Sequence, residues 1–518
     1  MTRNQSSVEQ LIRQRFARDP NEVWLLFKDE TYTWRDVIRL SQTAANGLLR
    51  VGIRPGEHVA IMAGNKPAFL WLYFGMLMIG ARVVPLNRWQ RGPALRHMLN
   101  DSGATAIVFD DELREVILEV RAECPGLRRL VVLGPMAAGV DATYDELMAA
   151  PDMEPDVEVL VPSSPVGILY TSGTTGPPKG IVPERFVNAL GPLYESTGVR
   201  PGETMYTCLP LIHGNALFIS TLGSIRLNAR LALAERFSAS QFWNDCRRYN
   251  AVHISTLGGM LPLLMKQPPR LDDRENPVRV ALSVGCPASM WREFEERFGV
   301  KIVEFYGMSD APGQLLNTEG KVGSVGKPAG GAEFRIVDEN DDPLPPGKLG
   351  QIVFRDPVGQ ATRYNNLPEA TAEAYQGGWF HSGDLGEMDA EGFFYFRGRM
   401  KEAIRRRGEN VSAWEIESVI NEHPAVVESA AFGIPSELGD EDVAIAVVLQ
   451  PGHSVKPEDL VSYCQGRLAY YAVPRYIEFV EALPKTGTQK IQKGVLKQRG
   501  KTPATWDRET AGMAVKRS

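Results

Sequence analysis

The stretch from Tyr170 to Gly180 reads Tyr-Thr-Ser-Gly-Thr-Thr-Gly-Pro-Pro-Lys-Gly, and it constrains the chain more than any other. Ahead of it runs Val166-Gly167-Ile168-Leu169, a short apolar stretch that suits a buried strand. Gly173 and Gly176 let the backbone approach a ligand and take positive φ. The hydroxyls of Thr171, Ser172, Thr174 and Thr175, with exposed backbone N–H groups, suit phosphate oxygens, and Lys179 adds a cation. The stretch reads as a loop that cradles a triphosphate. It is not a Walker A loop: counted from Gly173, Pro178 stands where G-x-x-x-x-G-K-[ST] needs glycine. A kinase or P-loop ATPase is therefore disfavoured. The competing reading is a Ser/Thr/Gly-rich surface turn.

A chain of 518 residues is too long for one core, so two or more domains are expected. Hydrophobic content of 43% and charged content of 23% fit a globular enzyme. Net charge is −6 without a sustained basic stripe, which argues against a nucleic-acid partner. Cys124, Cys208, Cys246, Cys286 and Cys464 are scattered, with no C-x-x-C pair, so a reducing, cytoplasmic setting is expected and a zinc site is not. The N-terminus leads into charged sequence rather than an apolar signal core. The longest apolar run, 68–81, is too short to span a bilayer and reads as a buried helix, so no stable membrane insertion is expected.

Along the chain, Thr33-Trp34-Arg35-Asp36 is a capping-box pattern. Val37, Leu40, Ala44 and Leu48 follow at helical spacing, and Gly52 stands where a C-terminal cap would. Strands are expected at 59–62, 106–109, 130–133, 251–254 and 278–282, with helices at 112–121 and 239–249. Strands alternating with helices imply an α/β fold of parallel sheets flanked by helices. After about residue 330 the texture becomes turn-rich, with a strand at 351–354 in a small β-rich subdomain. Ser412 and Glu415 form a second capping box, His423-Pro424 ends that helix, and 443–449 is a continuous apolar strand. A boundary near Lys401 divides a large N-terminal domain, 1–400, from a small mobile α+β C-terminal domain, 401–518.

Three further strings carry chemistry. Glu304-Phe305-Tyr306-Gly307-Met308-Ser309-Asp310 closes a strand with an aromatic ring and a carboxylate. Trp379-Phe380-His381-Ser382-Gly383-Asp384-Leu385 presents a carboxylate suited to a vicinal diol. Leu483-Pro484-Lys485-Thr486-Gly487-Thr488-Gln489-Lys490-Ile491 is a lysine-bearing loop. With Tyr170–Gly180, these strings resemble the signatures of the adenylate-forming superfamily of acyl-CoA synthetases, luciferases and peptide-synthetase adenylation domains. The resemblance runs from Tyr32 to Lys493, in order. It falls in the acyl-CoA ligase branch. Phe237-Ser238-Ala239-Ser240, Phe242-Trp243 and 257–262 look most like carnitine/crotonobetaine-CoA ligases.

The resemblance implies an ATP-dependent acid:CoA ligase that forms an acyl-adenylate and then a thioester, with Mg²⁺ as metal and ATP and coenzyme A as co-substrates. It implies that Thr171, Ser172, Gly173, Thr174, Thr175, Gly176 and Lys179 hold phosphates and that Tyr306 stacks on adenine. Gly285, Cys286, Glu304, Phe305, Gly307 and Ser309 complete the nucleotide site. Asp310 and Thr174 are the implied metal contacts, with aspartate standing where the superfamily has glutamate. Asp384 and Arg399 are implied at the ribose, Gly408 beside the pantetheine arm, and Lys401 as a hinge. Lys490 is the implied catalytic lysine, with Gln489 where glycine is usual. His213 and Thr174 join it as catalytic candidates. His213, Asn215, Phe218, Gly258, Gly259, Cys286 and Met308 form the expected acyl pocket, which suits a largely uncharged small carboxylic acid. A homodimer is the expected assembly. Two rival readings stand beside this one: an adenylation enzyme that loads a carrier protein, and a non-catalytic nucleotide-binding protein. No aspartate stands near 211–214 to bind an amine, and no carrier-protein serine motif is evident.

Overall fold

The structure is a computed structural model describing residues 8–157, 166–170, 177–183, 190–311, 313–356, 362–400, 403–406, 409–436, 441–465, 467–468, 470–485 and 490–515. The chain forms two compact units. The first comprises residues 1–333 and 355–380, and the second comprises 334–354 and 381–518. The stretches 334–354 and 381–400, expected in the N-terminal domain, thus group with the C-terminal residues.

The first unit is built on two large sheets. One has nine strands in the order Lys327–Ala329, Gln314–Asn317, Lys301–Tyr306, Val280–Val284, Ala251–Leu257, Thr204–Thr207, Arg230–Leu233, Val23–Phe27 and Glu30–Thr33. Its inner strands pair in parallel, from Lys301–Tyr306 across to Val23–Phe27. Antiparallel pairs close both edges. The second sheet is parallel throughout: Arg82–Pro85, His58–Met62, Ala104–Asp110, Arg129–Leu133 and Ala142–Thr143. Near-continuous apolar strands are what a sheet buried on both faces demands. Val59, Ala60, Ile61 and Met62 are fully buried. A third, antiparallel sheet joins Leu169–Tyr170, Gly180–Pro183 and Thr362–Tyr364.

Helix Trp34–Arg50 begins at Thr33, whose hydroxyl accepts from the Asp36 N–H while the Asp36 carboxylate accepts from the Thr33 N–H. Gly52 follows the helix with φ +89. The helix packs on Pro67–Met78, which is buried at every position except Ala68, as its unbroken apolar sequence required. Trp24 stacks on Trp34 with ring centroids 5.2 Å apart, and both are fully buried. Some expected boundaries moved. The strand expected at 166–169 is confined to Leu169–Tyr170, that at 278–282 lies at Val280–Val284, and the helix expected at 239–249 is Phe242–Arg248.

In the second unit, Glu333–Val337, Gly350–Arg355, Trp379–Met388 and Phe394–Arg399 share a sheet. A four-stranded sheet of Val426–Pro435, Glu441–Leu449, Tyr476–Phe479 and Trp506–Asp507 follows. Helix Ala413–Asn421 buries Ile416 and Ile420 with Val443, Ile445 and Val447 of that sheet. Its expected capping side chains, Ser412 and Glu415, lie outside the described residues.

Gly75 sets how closely the two buried helices approach. A Cβ there would stand 2.9 Å from the Ala45 nitrogen and 3.0 Å from the Ser41 oxygen, both backbone atoms. Gly75→Ala is expected to cost about 1–3 kcal/mol through overpacking, read as a lowered transition temperature in calorimetry.

Candidate active site

Four loops that carry candidate residues leave the C-terminal ends of four neighbouring parallel strands. Thr204–Thr207 leads to His213, Ala251–Leu257 to Gly258, Val280–Val284 to Gly285, and Lys301–Tyr306 to Gly307. Ligands in open α/β sheets bind at this edge because strand carboxyl ends and the following turns leave a crevice there.

The strands flanking 171–176 form an antiparallel pair, Leu169 opposite Ile181 and Tyr170 opposite Gly180. Asp101 anchors this pair. Its carboxylate accepts from the Tyr170 hydroxyl at 2.7 Å, and its backbone oxygen accepts from Asn365 Nδ2 at 2.7 Å. Gly180 is required by packing, since a Cβ would lie 2.8 Å from Ile168 Cγ2 and 3.2 Å from Asp101 Oδ2.

Strand Thr362–Tyr364 then ties two motifs together. Arg363 and Tyr364 pair with Val182 and Ile181. The Tyr364 hydroxyl donates to Asp310 Oδ1 at 2.8 Å, and Lys179 Nζ lies 4.7 Å from the centre of the Tyr364 ring. The Thr362 hydroxyl donates to the Asp310 backbone oxygen. Lys179 and Asp310, 131 positions apart in the sequence, are thus joined through one side chain. Sequence reasoning missed Tyr364 and Thr362. Thr362-Arg363-Tyr364 is too short to show strand periodicity, so the sequence carried no signal for them.

Glu304 is buried beneath the Gly285–Cys286 turn. One carboxylate oxygen accepts from the Gly285 N–H, and both accept from the Cys286 N–H, at 3.2 and 3.3 Å. Burial pushes the Glu304 carboxyl up to about 7 against the lowering effect of these donors. Burial also raises the Cys286 thiol, so Cys286 is a neutral wall residue rather than a nucleophile. Gly285 takes φ +88, and a Cβ on it would face Gly258 Cα at 3.6 Å. Around Gly258 and Gly259 there is open space: a Cβ on either would meet nothing within 4 Å. Tyr306 ends its strand buried, opposite Leu315. Phe305 is buried beside it, and Met308 and Ser309 are half-buried.

His213 and Asn215 open a buried helical segment. Asn215–Leu222 is a π-helix, a rare form that clusters at functional sites. Burial lowers the His213 pKa, favouring the neutral imidazole. Phe218 is fully buried. Gly214 faces the Phe218 ring and, at 3.9 Å from a hypothetical Cβ, the Ser309 hydroxyl. The structure therefore brings the expected acyl-pocket helix to the Tyr306–Asp310 segment.

In the second unit, Asp384 is buried opposite Arg399 in the antiparallel register, and Arg399 Nε lies 2.8 Å from Asp384 Oδ1. Gly383 takes φ +67, and the Asp384 N–H donates to Ser382 Oγ at 3.0 Å. Lys490 is exposed. The arginine run 405–407 does not present Arg406 to solvent. Arg406 is buried, donates to the Tyr471 and Val473 backbone oxygens at 2.9 and 3.0 Å, and lies 3.5 Å from Asp442. Thr171, Ser172, Gly173, Thr174, Thr175, Gly176, Lys401 and Gly408 lie outside the described residues.

Among the described residues no group of three or more His, Cys, Asp or Glu side chains could cage a metal ion. Mg²⁺ is commonly held by one or two carboxylates plus substrate phosphates. The carboxylate expected to contact it, Asp310, accepts from the Tyr364 hydroxyl.

Glu304 gives a pH test. Its folded pKa of about 7 lies above the ordinary 4.5, so its stabilising contribution is full below 4.5 and is lost as pH rises towards 7. Glu304→Gln removes that dependence. Urea unfolding between pH 4.5 and 8 is expected to show a flatter stability profile for the variant by up to one proton.

Comparison with known proteins identifies the family. The AMP-binding enzyme family matches residues 12–364, and the AMP-binding enzyme C-terminal domain matches residues 415–490. The chain is similar to a crotonobetaine/carnitine–CoA ligase of Salmonella arizonae, 32% identical over 90% of this chain and 93% of that one. It is similar in structure to o-succinylbenzoate coenzyme A synthetase of Bacillus subtilis in complex with ATP and magnesium ion. There the identity is 26%, the TM-score 0.81, and the coverage 94% of this chain and 99% of that one. The anthranilate CoA ligase AuaEII, in complex with anthranoyl-AMP, shares the fold at 24% identity, with a TM-score of 0.86 and coverage of 95% and 97%. Among the described residues no helix is long and apolar enough to cross a membrane. The chain belongs to the AMP-binding enzyme family, in its acyl-CoA ligase branch.

Proposed function

We propose that this AMP-forming acid–CoA ligase activates an uncharged small carboxylic acid, with the residue roles set out below. One observation carries the reading: Tyr364 joins Lys179 of the phosphate-loop motif to Asp310 of the Tyr306–Asp310 motif. An anion-binding cation and a metal-binding carboxylate held around one ring suit a triphosphate and fit poorly with a chain that merely stores a nucleotide.

The reaction has two halves. A carboxylate oxygen of the acid attacks the α-phosphorus of ATP, the bond to pyrophosphate breaks, and an acyl-adenylate forms. The thiol sulfur of coenzyme A then attacks the acyl carbonyl carbon. The bond to AMP breaks, the thioester forms, and the thiol proton is lost to solvent. The first half needs positioning and charge neutralisation. Ser172, Thr174, Thr175 and Lys179 hold the departing pyrophosphate. Mg²⁺, when bound, neutralises phosphate charge, and Asp310 is its protein contact. Tyr306 stacks on adenine, and Asp384, supported by Arg399, accepts from the ribose hydroxyls. Lys490 bridges the reacting oxygens. The second half needs no protein nucleophile because coenzyme A supplies the thiol. Gly408 leaves room for its pantetheine arm, and Lys401, at the boundary between 1–400 and 401–518, is the hinge.

The uncharged acyl group follows from a pocket of His213, Asn215, Phe218, Gly258, Gly259, Cys286 and Met308. It contains a neutral imidazole, a raised thiol and no carboxylate, lysine or arginine. A cytoplasmic setting is supported by five free cysteines. A homodimer is the proposed assembly, which light scattering checks. The deciding assay is pyrophosphate release over a panel that includes crotonobetaine, anthranilate, o-succinylbenzoate and plain alkanoates, each with ATP and coenzyme A. Equal amounts of AMP and CoA thioester are expected. Acyl transfer only to a carrier protein would contradict the reading.

Two variants test the division of labour. Lys490→Ala is expected to slow acyl-adenylate formation about 10²–10³-fold, as for loss of a preorganised charge-stabilising donor. It should spare thioester formation from synthetic acyl-adenylate, and single-turnover assays of each half separate the two. Lys401→Pro fixes φ near −65°. It is expected to keep adenylation within a few-fold while nearly abolishing thioester formation, as rapid-quench measurements would show.

A further inference from the structure

Two side chains, one at the candidate pocket and one deeper along strand Ala251–Leu257, have buried polar atoms without a partner. Asn215 leaves both amide atoms, Nδ2 and Oδ1, buried and unbonded. His253 is fully buried, and both ring nitrogens are unbonded. Orphaned polar groups are costly to keep in a core and point to a polar atom supplied from elsewhere.

The two lie along one line. Asn215 opens the π-helix Asn215–Leu222, beside Gly214 and Ser309. One π turn further, on the same side of the helix, stands Ser220. Ser220 Oγ lies 3.5 Å from Ser255 Oγ on strand Ala251–Leu257. Side chains alternate across a strand, so His253 shares the face of Ser255. The register agrees: His253 pairs with Met205, whose methyl lies 3.9 Å from a hypothetical Cβ on Gly223, just beyond the π-helix. The same strand ends at Leu257 and passes into the open space around Gly258 and Gly259. Asn215, Ser220, Ser255 and His253 thus follow one another along the π-helix and the strand it meets at Ser255. Gly258 lies five residue steps from His253, roughly 16 Å at the usual rise per residue.

The chemistry of this set is specific. An amide and a neutral imidazole each offer a donor and an acceptor, and the serines offer hydroxyls. Burial pushes the His253 pKa down to about 3, so the ring is uncharged at neutral pH. The set therefore presents hydrogen bonds without a countercharge.

We propose that Asn215, Ser255 and His253 are the specificity wall of the acyl pocket and select a carboxylic acid whose chain carries an uncharged hydrogen-bonding group, a hydroxyl, keto or amide. This rests on the acid–CoA ligase reading and names its substrate class. A site built to bond such a group disfavours the analogue that lacks it, because its own polar atoms are then left unpaired.

The test uses acids of equal chain length, with and without one hydroxyl or keto oxygen placed at successive carbons. Two readouts are taken on the full chain: kcat/KM for pyrophosphate release, and the shift in Tm on adding each acid with ATP. One oxygenated isomer is expected to exceed its plain counterpart by about 10–100-fold in kcat/KM. Asn215→Leu is expected to cut that ratio at least tenfold. Ser255→Ala, a small change that guards against misfolding of His253→Leu, is expected to cut it in the same direction. Plain acids equal to or better than every oxygenated isomer would overturn the proposal, as would a ratio untouched by all three variants. An oxygen-dependent Tm shift without turnover of any acid would fault the ligase reading and uphold the wall. Equal shifts from matched acids would overturn the wall itself.

Discussion

The contacts of Tyr364 are the constraint on which the site in the first unit depends. Its hydroxyl holds the Asp310 carboxylate, its ring faces the Lys179 ammonium, and its backbone pairs with Ile181 just past the phosphate-loop motif. A hydrogen bond to a charged acceptor contributes about 1.5–3 kcal/mol, and a cation over an aromatic face about 0.5–2 kcal/mol. Neither is large alone. Together they fix the spacing between a cation and a carboxylate that have no sequence proximity. Thr362 strengthens the same link by bonding the Asp310 backbone.

Around this link the parallel sheet supplies direction. Because neighbouring strands run the same way, His213, Gly258, Gly285 and Gly307 all follow strand C-termini at one edge. Glu304 then fixes one of these turns from beneath, its carboxylate serving two consecutive backbone donors. Burying that carboxylate raises its pKa, and the two N–H donors partly offset the penalty. The turn is thus held by hydrogen bonds that burial of the carboxylate opposes.

The sequence made legible what depends on local pattern. The capping box at Thr33 and the buried helix at Pro67–Met78 follow from residue type and spacing, and both formed. The change of texture after residue 330 is also visible: 334–354 leave the first unit close to that point. Long-range pairing was not legible. Tyr364 works only because strand Thr362–Tyr364 adds to Gly180–Pro183, a register no local signal encodes. The π-helix was hidden as well, since a helix buried from Ala216 to Leu222 shows no amphipathic period. Nothing in the run 405–407 marks Arg406 for burial. Its guanidinium instead turns inward to two backbone oxygens and Asp442, a set of partners assembled only by the fold.

On the proposed function, Tyr364 and Asp310 act as one element in handling ATP. A double-mutant cycle tests it most directly, comparing kcat/KM for ATP in Asp310→Asn, Tyr364→Phe and the double variant, all with Mg²⁺ present. If the two act together, the double variant is about as impaired as the worse single one, because the second substitution removes a contact already lost. Losses that multiply independently across the two sites would contradict the account.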